Sequence, residues 1–165
     1  MLPCGVGPCL ALSRVLALVG GLALVAAFFM PWFSSQGLLL SGQFLNTFLG
    51  SASPADLRRF LPNSSPAELQ LLRGLVDLFP ACGAIAALAS LIGGVTTRGK
   101  RAANVIVGLS GGLSLVSWAI GITRLPAGSG YESGLWLIAL GSLAVLGGLV
   151  IDLGLIMRSA RTNSQ

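Results

Sequence analysis

Residues 102–123 read AANVIVGLSGGLSLVSWAIGIT and contain no charged side chain. An uncharged apolar run of about 20 residues is long enough to cross the hydrocarbon core of a bilayer as an α-helix. The turn directly before it, residues 98–101, carries three positive charges in the order Arg-Gly-Lys-Arg. Basic residues of this kind are typical of the loops between membrane spans. The stretch therefore predicts a membrane-spanning helix that follows a tight basic turn.

Three further runs have the same character. Residues 15–33 and 78–97 carry no charge, and residues 134–157 carry one, Asp152. Only 9% of the 165 residues are charged and 54% are hydrophobic, whereas a soluble domain has about 25% charged residues. We therefore expect an all-α polytopic membrane protein, with four transmembrane helices packed as one bundle in a single membrane domain.

The basic residues indicate the orientation of that bundle. The net charge is +5, but the Lys and Arg side chains punctuate the gaps between spans, a distribution that argues against nucleic-acid binding and for membrane topology. Six of the ten fall on the side that holds both termini, so we expect both termini to be cytoplasmic. We expect the aromatic rings of Trp32, Tyr131 and Trp136 at the outer interface, where amphipathic rings concentrate.

The outer loop, residues 34–77, contains a doubled helix-start signal. Ser-Pro-Ala-Asp-Leu begins at Ser53 and Ser-Pro-Ala-Glu-Leu begins at Ser65. Serine at the N-cap, proline at N1 and an acid at N3 satisfy the free backbone groups of a helix start. These signals predict helices at about 54–61 and 66–79, which form a short extracytoplasmic cap. The cap either seals the bundle or presents Arg58, Arg59 and Phe60 as a docking edge for a partner.

Small residues at four-residue spacing predict how the spans pack, because membrane helices associate through close backbone approach. The stripes either hold the four helices of one chain together or include one that faces a neighbouring subunit. The first span is leucine-rich, and we expect it to face lipid. The predicted packing residues are Ala86, Ser90 and Gly94 in the second span, Gly108 and Gly112 in the third, and Ala144 and Gly148 in the fourth.

Asp152 is the one acid well inside a predicted span, and intramembrane carboxylates are candidates for functional sites. Asn104 begins the third span on the same side, close to Arg98 and Arg101. A polar cluster of these residues would satisfy the carboxylate structurally. The alternative is that Asp152 belongs to a path for protons or ions.

The sequence offers little that could support catalysis. It contains no histidine, the commonest metal ligand and proton shuttle. Its three cysteines, Cys4, Cys9 and Cys82, form no Cys-x-x-Cys pair. No nucleophile elbow, phosphate loop or metal-binding triplet occurs. We expect a protein that is not an enzyme and that binds neither a cofactor nor a metal.

The stretch ALVAAFFMPWFSSQGLLLSG, residues 23–42, resembles the start of a type of small bacterial tetraspan protein. In that type the first span ends in Pro-Trp-Phe and is followed by a Ser-Gly-containing outer loop and three Gly/Ala/Leu-rich spans. The resemblance implies a location in the bacterial cytoplasmic (inner) membrane.

Three functions are consistent with these features. The leading hypothesis is a non-enzymatic accessory or scaffold subunit of a larger membrane complex, of respiratory or photosynthetic type. Its partners would be the lipid bilayer and other membrane subunits. The first alternative is a small ion or proton channel or transporter that uses Asp152, and the second is a membrane protein that assembles with itself.

Overall fold

The computed structural model describes residues 6–35, 38–53, 65–92, 97–123 and 130–162. Within these ranges the chain forms five helices and three short strands. In chain order they are α1 (Val6–Phe29), β1 (Pro31–Ser35), β2 (Leu38–Ser41), α2 (Gly42–Ser51), α3 (Pro66–Ile92), α4 (Thr97–Thr123), β3 (Gly130–Tyr131) and α5 (Ser133–Thr162).

Four of the helices are long and apolar enough to cross a membrane. Their candidate spans are Ala11–Phe29, Ala67–Ile92, Ala102–Thr123 and Ser133–Leu155. The helices alternate in direction and form a ring in which α1 and α4 each pack against both α3 and α5. The strands and α2 lie at one end of this bundle, here called the sheet end. The opposite end contains Asp152 and is called the Asp152 end.

The distribution of side chains is that of a membrane bundle. The buried positions are filled largely by alanine, serine and glycine, while leucine, isoleucine and valine side chains point outward from each long helix. Leu109, Leu140 and Val150, for example, are all more exposed than any core residue. Contiguous apolar surface on this scale is not tolerated in water, whereas lipid tails solvate it. The expectation of a mostly helical chain with four helices long and apolar enough to span a membrane is confirmed.

Helix α1 makes the closest helix contacts in the bundle, which corrects the expectation that the first span mainly faces lipid. A Cβ added at Gly20 would lie 2.6 Å from the Gly141 carbonyl oxygen of α5. A Cβ added at Gly21 would lie 2.6 Å from the Gly83 carbonyl oxygen of α3. Adjacent glycines thus bring α1 against two different neighbours, and only its remaining face, with Val15 and Val19, is exposed.

The predicted packing residues of the other spans are only partly at close contacts. Gly108 packs against Leu149 of α5, but a Cβ at Gly112 would meet nothing within 4 Å, and Gly111 makes the second contact instead, with Val145. Gly148 packs against the Ser13 carbonyl of α1. Of the other predicted residues, Ala86 and Ser90 are buried, Ala144 is half-buried and Gly94 lies outside the described residues.

The sheet end contains a small antiparallel sheet in the strand order β2-β1-β3, which the all-α prediction did not include. Phe33 of β1 pairs with Leu40 of β2 and with Tyr131 of β3. Helix α1 ends at Phe29 and not at residue 33, because proline at position 31 disfavours helical backbone at the residue before it. The Pro-Trp-Phe sequence is therefore the first half of a strand.

Trp32 holds the sheet end together. Its indole N–H donates a 2.7 Å hydrogen bond to the Ala27 carbonyl oxygen, which also accepts a 3.2 Å hydrogen bond from Met30 N at the end of α1. Its ring meets Phe79 of α3 edge to face, with ring centroids 5.4 Å apart. Gly42 is the first residue of α2 and Gly134 the second of α5. A Cβ added at either glycine would lie within 2.7 Å of a Trp32 ring atom. Trp32 is consequently buried, not positioned at the lipid interface as expected.

The expected helical cap differs from the structure in two ways. Helix α2, which begins with Ser41 as its N-cap, was not predicted, and the expected helix at 54–61 lies outside the described residues. The expected helix at 66–79 and the second span form one continuous helix, α3, through Pro80, since membrane helices tolerate proline. The capping box is confirmed: Ser65 N donates to Glu68 Oε2 at 2.7 Å, and Glu68 N donates to Ser65 Oγ at 3.3 Å.

Candidate functional site: a polar cavity at the Asp152 end

A cavity of about 20 Å³ lies between the four long helices at the Asp152 end. Every helix of the ring contributes to its wall. The lining residues are Ser13, Arg14 and Ala17 from α1, Ala89 and Ser90 from α3, Ala103, Asn104 and Val107 from α4, and Gly148, Leu149 and Asp152 from α5. Polar side chains thus meet at a point where each helix is two or three residues inside the end of its candidate span.

Asp152 is tied to the first helix. Ser13 Oγ donates a 2.9 Å hydrogen bond to Asp152 Oδ1 across the α1–α5 interface. Gly148 lies one turn earlier on α5 and lets the two backbones approach closely there. A carboxylate in a low-dielectric interior requires such donors, because an unpaired buried charge is costly. The Ser13–Asp152 contact is therefore a polar link within the closest helix pair.

Asn104 faces the same cavity from α4. Its side chain is half-buried and lines the cavity together with Asp152, but no hydrogen bond joins the two residues. Ser90 of α3 donates its hydroxyl proton to the Ala87 carbonyl oxygen at 2.7 Å. Its oxygen keeps acceptor lone pairs. The cavity thus contains a carboxylate, an amide and two hydroxyls.

The structure brings together two of the four residues predicted for this cluster. Arg98 and Arg101 lie in the first turns of α4, but their side chains are outside the described part of the chain. Ser13 and Arg14, which do line the cavity, were not predicted as members. Their depth in the membrane could have identified Ser13 and Arg14, because both stand at the start of the first span, on the same side of the membrane as Asp152.

A second polar feature lies deeper in the bundle, between α4 and α5. Gly108 opposes Leu149 and Gly111 opposes Val145, so the same antiparallel register places Ser114 opposite Ser142. Both serines are 0% exposed. The Ser114 hydroxyl lies within hydrogen-bond reach of Cys82, a buried free thiol of α3, whereas the Ser142 hydroxyl has no hydrogen-bond partner among the described residues. The Ser142 hydroxyl is unusual, because most buried polar groups are satisfied.

The sheet end presents an apolar surface of a different kind. Leu38 and Leu39 on the edge strand β2 are 62% and 63% exposed, and Phe44 of α2 is 50% exposed. The Phe44 ring stacks on Phe48, with centroids 6.0 Å apart. We call Leu38, Leu39 and Phe44 the sheet-end patch. The predicted docking residues Arg58, Arg59 and Phe60 lie outside the described residues, between α2 and α3.

Within the described ranges, no group of three His, Cys, Asp or Glu side chains comes together to hold a metal ion. Comparison with known proteins adds no assignment: no family model matches the chain, and neither a curated protein nor a solved structure is significantly similar to it.

Proposed function

We propose that this chain is a non-enzymatic accessory subunit that binds another membrane protein through the sheet-end patch. The proposal rests on the exposure of Leu38 and Leu39 in β2 and of Phe44 in α2, two elements that follow α1 in the chain. Large exposed apolar side chains mark sites of interaction, and Leu38 and Leu39, which are consecutive in β2, present them on both faces of the strand. An edge strand also offers unpaired backbone N–H and C=O groups to a partner.

The construction of the sheet end supports a docking role. Trp32 fixes β1 to α1, α3 and α5 through the contacts described above, so the hairpin of β1 and β2 is held rigidly against the bundle. Arg73 of α3 lies over Gly50 and fixes the other end of α2. A rigid apolar surface loses little conformational freedom on binding, which favours affinity.

Affinity purification from native membranes in a mild detergent tests this proposal. We expect a partner in fixed ratio to the chain that also crosslinks to a photoreactive amino acid at position 39. Leu39→Asp should lower the recovered partner by about tenfold, since truncating a central contact of an interface costs more than 1 kcal/mol. Gln70→Asp, which adds the same charge at an exposed site on α3, should leave recovery unchanged.

Two outcomes would contradict the proposal. One is a chain that purifies alone and crosslinks at position 39 only to lipid. The other is an equal loss of partner in Leu39→Asp and Gln70→Asp, which would mean that general charge and not the patch is responsible. A partner that proves to be a second copy of the chain would support self-assembly instead.

Transport through the bundle is the second candidate, and the cavity around Asp152 favours it. Its test is proton or cation flux into liposomes that contain only this protein. Flux that Asp152→Asn abolishes would support transport and count against an accessory role. A volume of about 20 Å³ is close to that of one water site, which is why we rank transport second.

We further propose that the protein resides in the bacterial inner membrane with both termini in the cytoplasm. The basic residues support this orientation. Arg14, Arg98, Lys100, Arg101, Arg158 and Arg161 all belong to helix segments at the Asp152 end, and cytoplasmic segments carry the excess of Lys and Arg.

A further inference from the structure

We propose that the cavity at the Asp152 end is a binding site for a single water molecule that links all four membrane helices. The inference is independent of the proposed docking role, because it concerns the opposite end of the bundle. It rests on the volume of the cavity, on the hydrogen-bond capacity of its wall and on the composition of its lining.

The volume admits one water and little else. A cavity of about 20 Å³ exceeds the 10–15 Å³ that a water molecule needs on the same measure, and a buried water also needs two to four polar partners. Alanine, glycine and valine side chains form the apolar part of the wall. The remainder consists of the polar groups of Ser13, Arg14, Ser90, Asn104 and Asp152.

Asp152 and Asn104 have hydrogen-bond capacity that the described residues do not use. Asp152 accepts one hydrogen bond, from Ser13, although a carboxylate has about four lone-pair sites. The Asn104 amide has two donors and one acceptor oxygen, and no hydrogen bond joins it to the carboxylate that shares its cavity. A water between them would accept from Asn104 and donate to Asp152, and its second proton would reach the Ser90 oxygen.

The composition of the lining favours water over a cation. Arg14 and Asp152, one residue of each charge, both line the cavity. A calcium or magnesium ion would need six or more oxygen ligands, whereas the side chains of Ser13, Ser90, Asn104 and Asp152 hold fewer oxygen atoms than that. A neutral molecule that both donates and accepts hydrogen bonds does not meet this obstacle. Water is the molecule of that class that fits the volume.

The consequence of this site is structural. Ser13 and Asp152 already link α1 to α5, and the water adds Asn104 of α4 and Ser90 of α3 to the same network. In lipid, where helices gain no hydrophobic attraction for one another, interhelical hydrogen bonds contribute to association. The single water therefore extends one polar link to the complete ring.

Solid-state NMR on protein labelled with ¹⁵N-asparagine and reconstituted in lipid tests the proposal. We expect rapid magnetisation transfer from water to the Asn104 side-chain amide. Ala103→Val adds two methyl groups at a lining position and should abolish that transfer. Ala102→Val, at the neighbouring exposed position, should leave the transfer as in the wild type.

A structure at a resolution that shows ordered water provides the second measurement, and it does not depend on the folding of a variant. We expect one density peak within hydrogen-bond distance of both the Asp152 carboxylate and the Asn104 amide. An empty cavity, a direct Asn104–Asp152 hydrogen bond, or water transfer that persists in Ala103→Val would each overturn the proposal.

Discussion

Replacing Gly21 with alanine should force α1 and α3 apart. The added Cβ would lie 2.6 Å from the Gly83 carbonyl oxygen and 2.9 Å from the Ala87 backbone nitrogen. Both are backbone atoms, so no side-chain rotation can relieve the contact. Real Cβ atoms essentially never come closer than 3.0 Å to a non-bonded atom, and ordinary contacts begin at 3.4 Å, so the helices must shift by several tenths of an ångström along that direction.

The expected loss of stability follows from this separation. A gap of 0.5–1 Å forfeits about a quarter to a half of the dispersion energy of each atom pair involved, and overpacking of a close-packed interior costs about 1–3 kcal/mol. Alanine also stabilises a helix by about 0.5–1 kcal/mol relative to glycine. Gly112→Ala receives only this benefit, because a Cβ at Gly112 meets nothing within 4 Å.

The assay is the free energy of unfolding, measured for both variants in mixed micelles of a mild detergent and sodium dodecyl sulfate. We expect Gly112→Ala to be as stable as the wild type or about 0.5–1 kcal/mol more stable. Gly21→Ala should be about 1–3 kcal/mol less stable than Gly112→Ala. Equal stability of the two variants would refute the conclusion that α1 and α3 touch through their backbones.

Two further predictions concern single side chains. Trp32→Phe should lower the free energy of unfolding by about 0.5–1.5 kcal/mol in the same micelle assay, because it leaves the Ala27 carbonyl with only the longer of its two hydrogen bonds, the one from Met30 N. Trp136→Phe, at a ring that is 58% exposed, should change it by less than about 0.5 kcal/mol, and an equal effect would show that the indole N–H of Trp32 contributes nothing. Ser142→Ala should leave the free energy of unfolding unchanged or raise it by about 1 kcal/mol, since it removes a buried hydroxyl without a partner among the described residues, whereas Ser13→Ala, which removes the donor to Asp152, should lower it by about 1–3 kcal/mol. A loss on Ser142→Ala as large as that on Ser13→Ala would mean that the Ser142 hydroxyl is hydrogen-bonded.

The membrane helices could be predicted from the sequence because composition alone carries that signal. An uncharged apolar run of 20 residues has few alternatives to a membrane helix, and the capping box at Ser65 and Glu68 satisfies backbone groups locally. Both features depend on neighbours in the chain and need no knowledge of the tertiary fold.

The sheet and α1 were harder to predict for a physical reason. The segment around Trp32 and the three leucines of 38–40 are as apolar as the spans that flank them, so hydrophobicity does not distinguish strand from helix there. The glycines at 20 and 21 form no four-residue stripe within α1. Their importance arises from Gly83 and Gly141 on two other helices, and such pairing across helices is visible only in the fold.

Two of the polar residues that line the cavity could be predicted from the sequence. Asp152 and Asn104 stood out as polar residues within apolar spans on one side of the membrane. Ser13, which donates to Asp152, is 139 positions away and is an unremarkable residue in sequence. Matching residues by depth in the membrane, and not only by charge, is what connects the two.

The central claim is a chain that crosses the membrane four times, with the sheet end and the Asp152 end on opposite sides. Cysteine labelling tests it most directly, in a background without Cys4, Cys9 and Cys82. In intact cells, a membrane-impermeant maleimide should label Leu39→Cys at once and should label Lys100→Cys only after the membrane is opened. Labelling of both positions, or of neither, in intact cells would place the two ends on the same side and contradict the account.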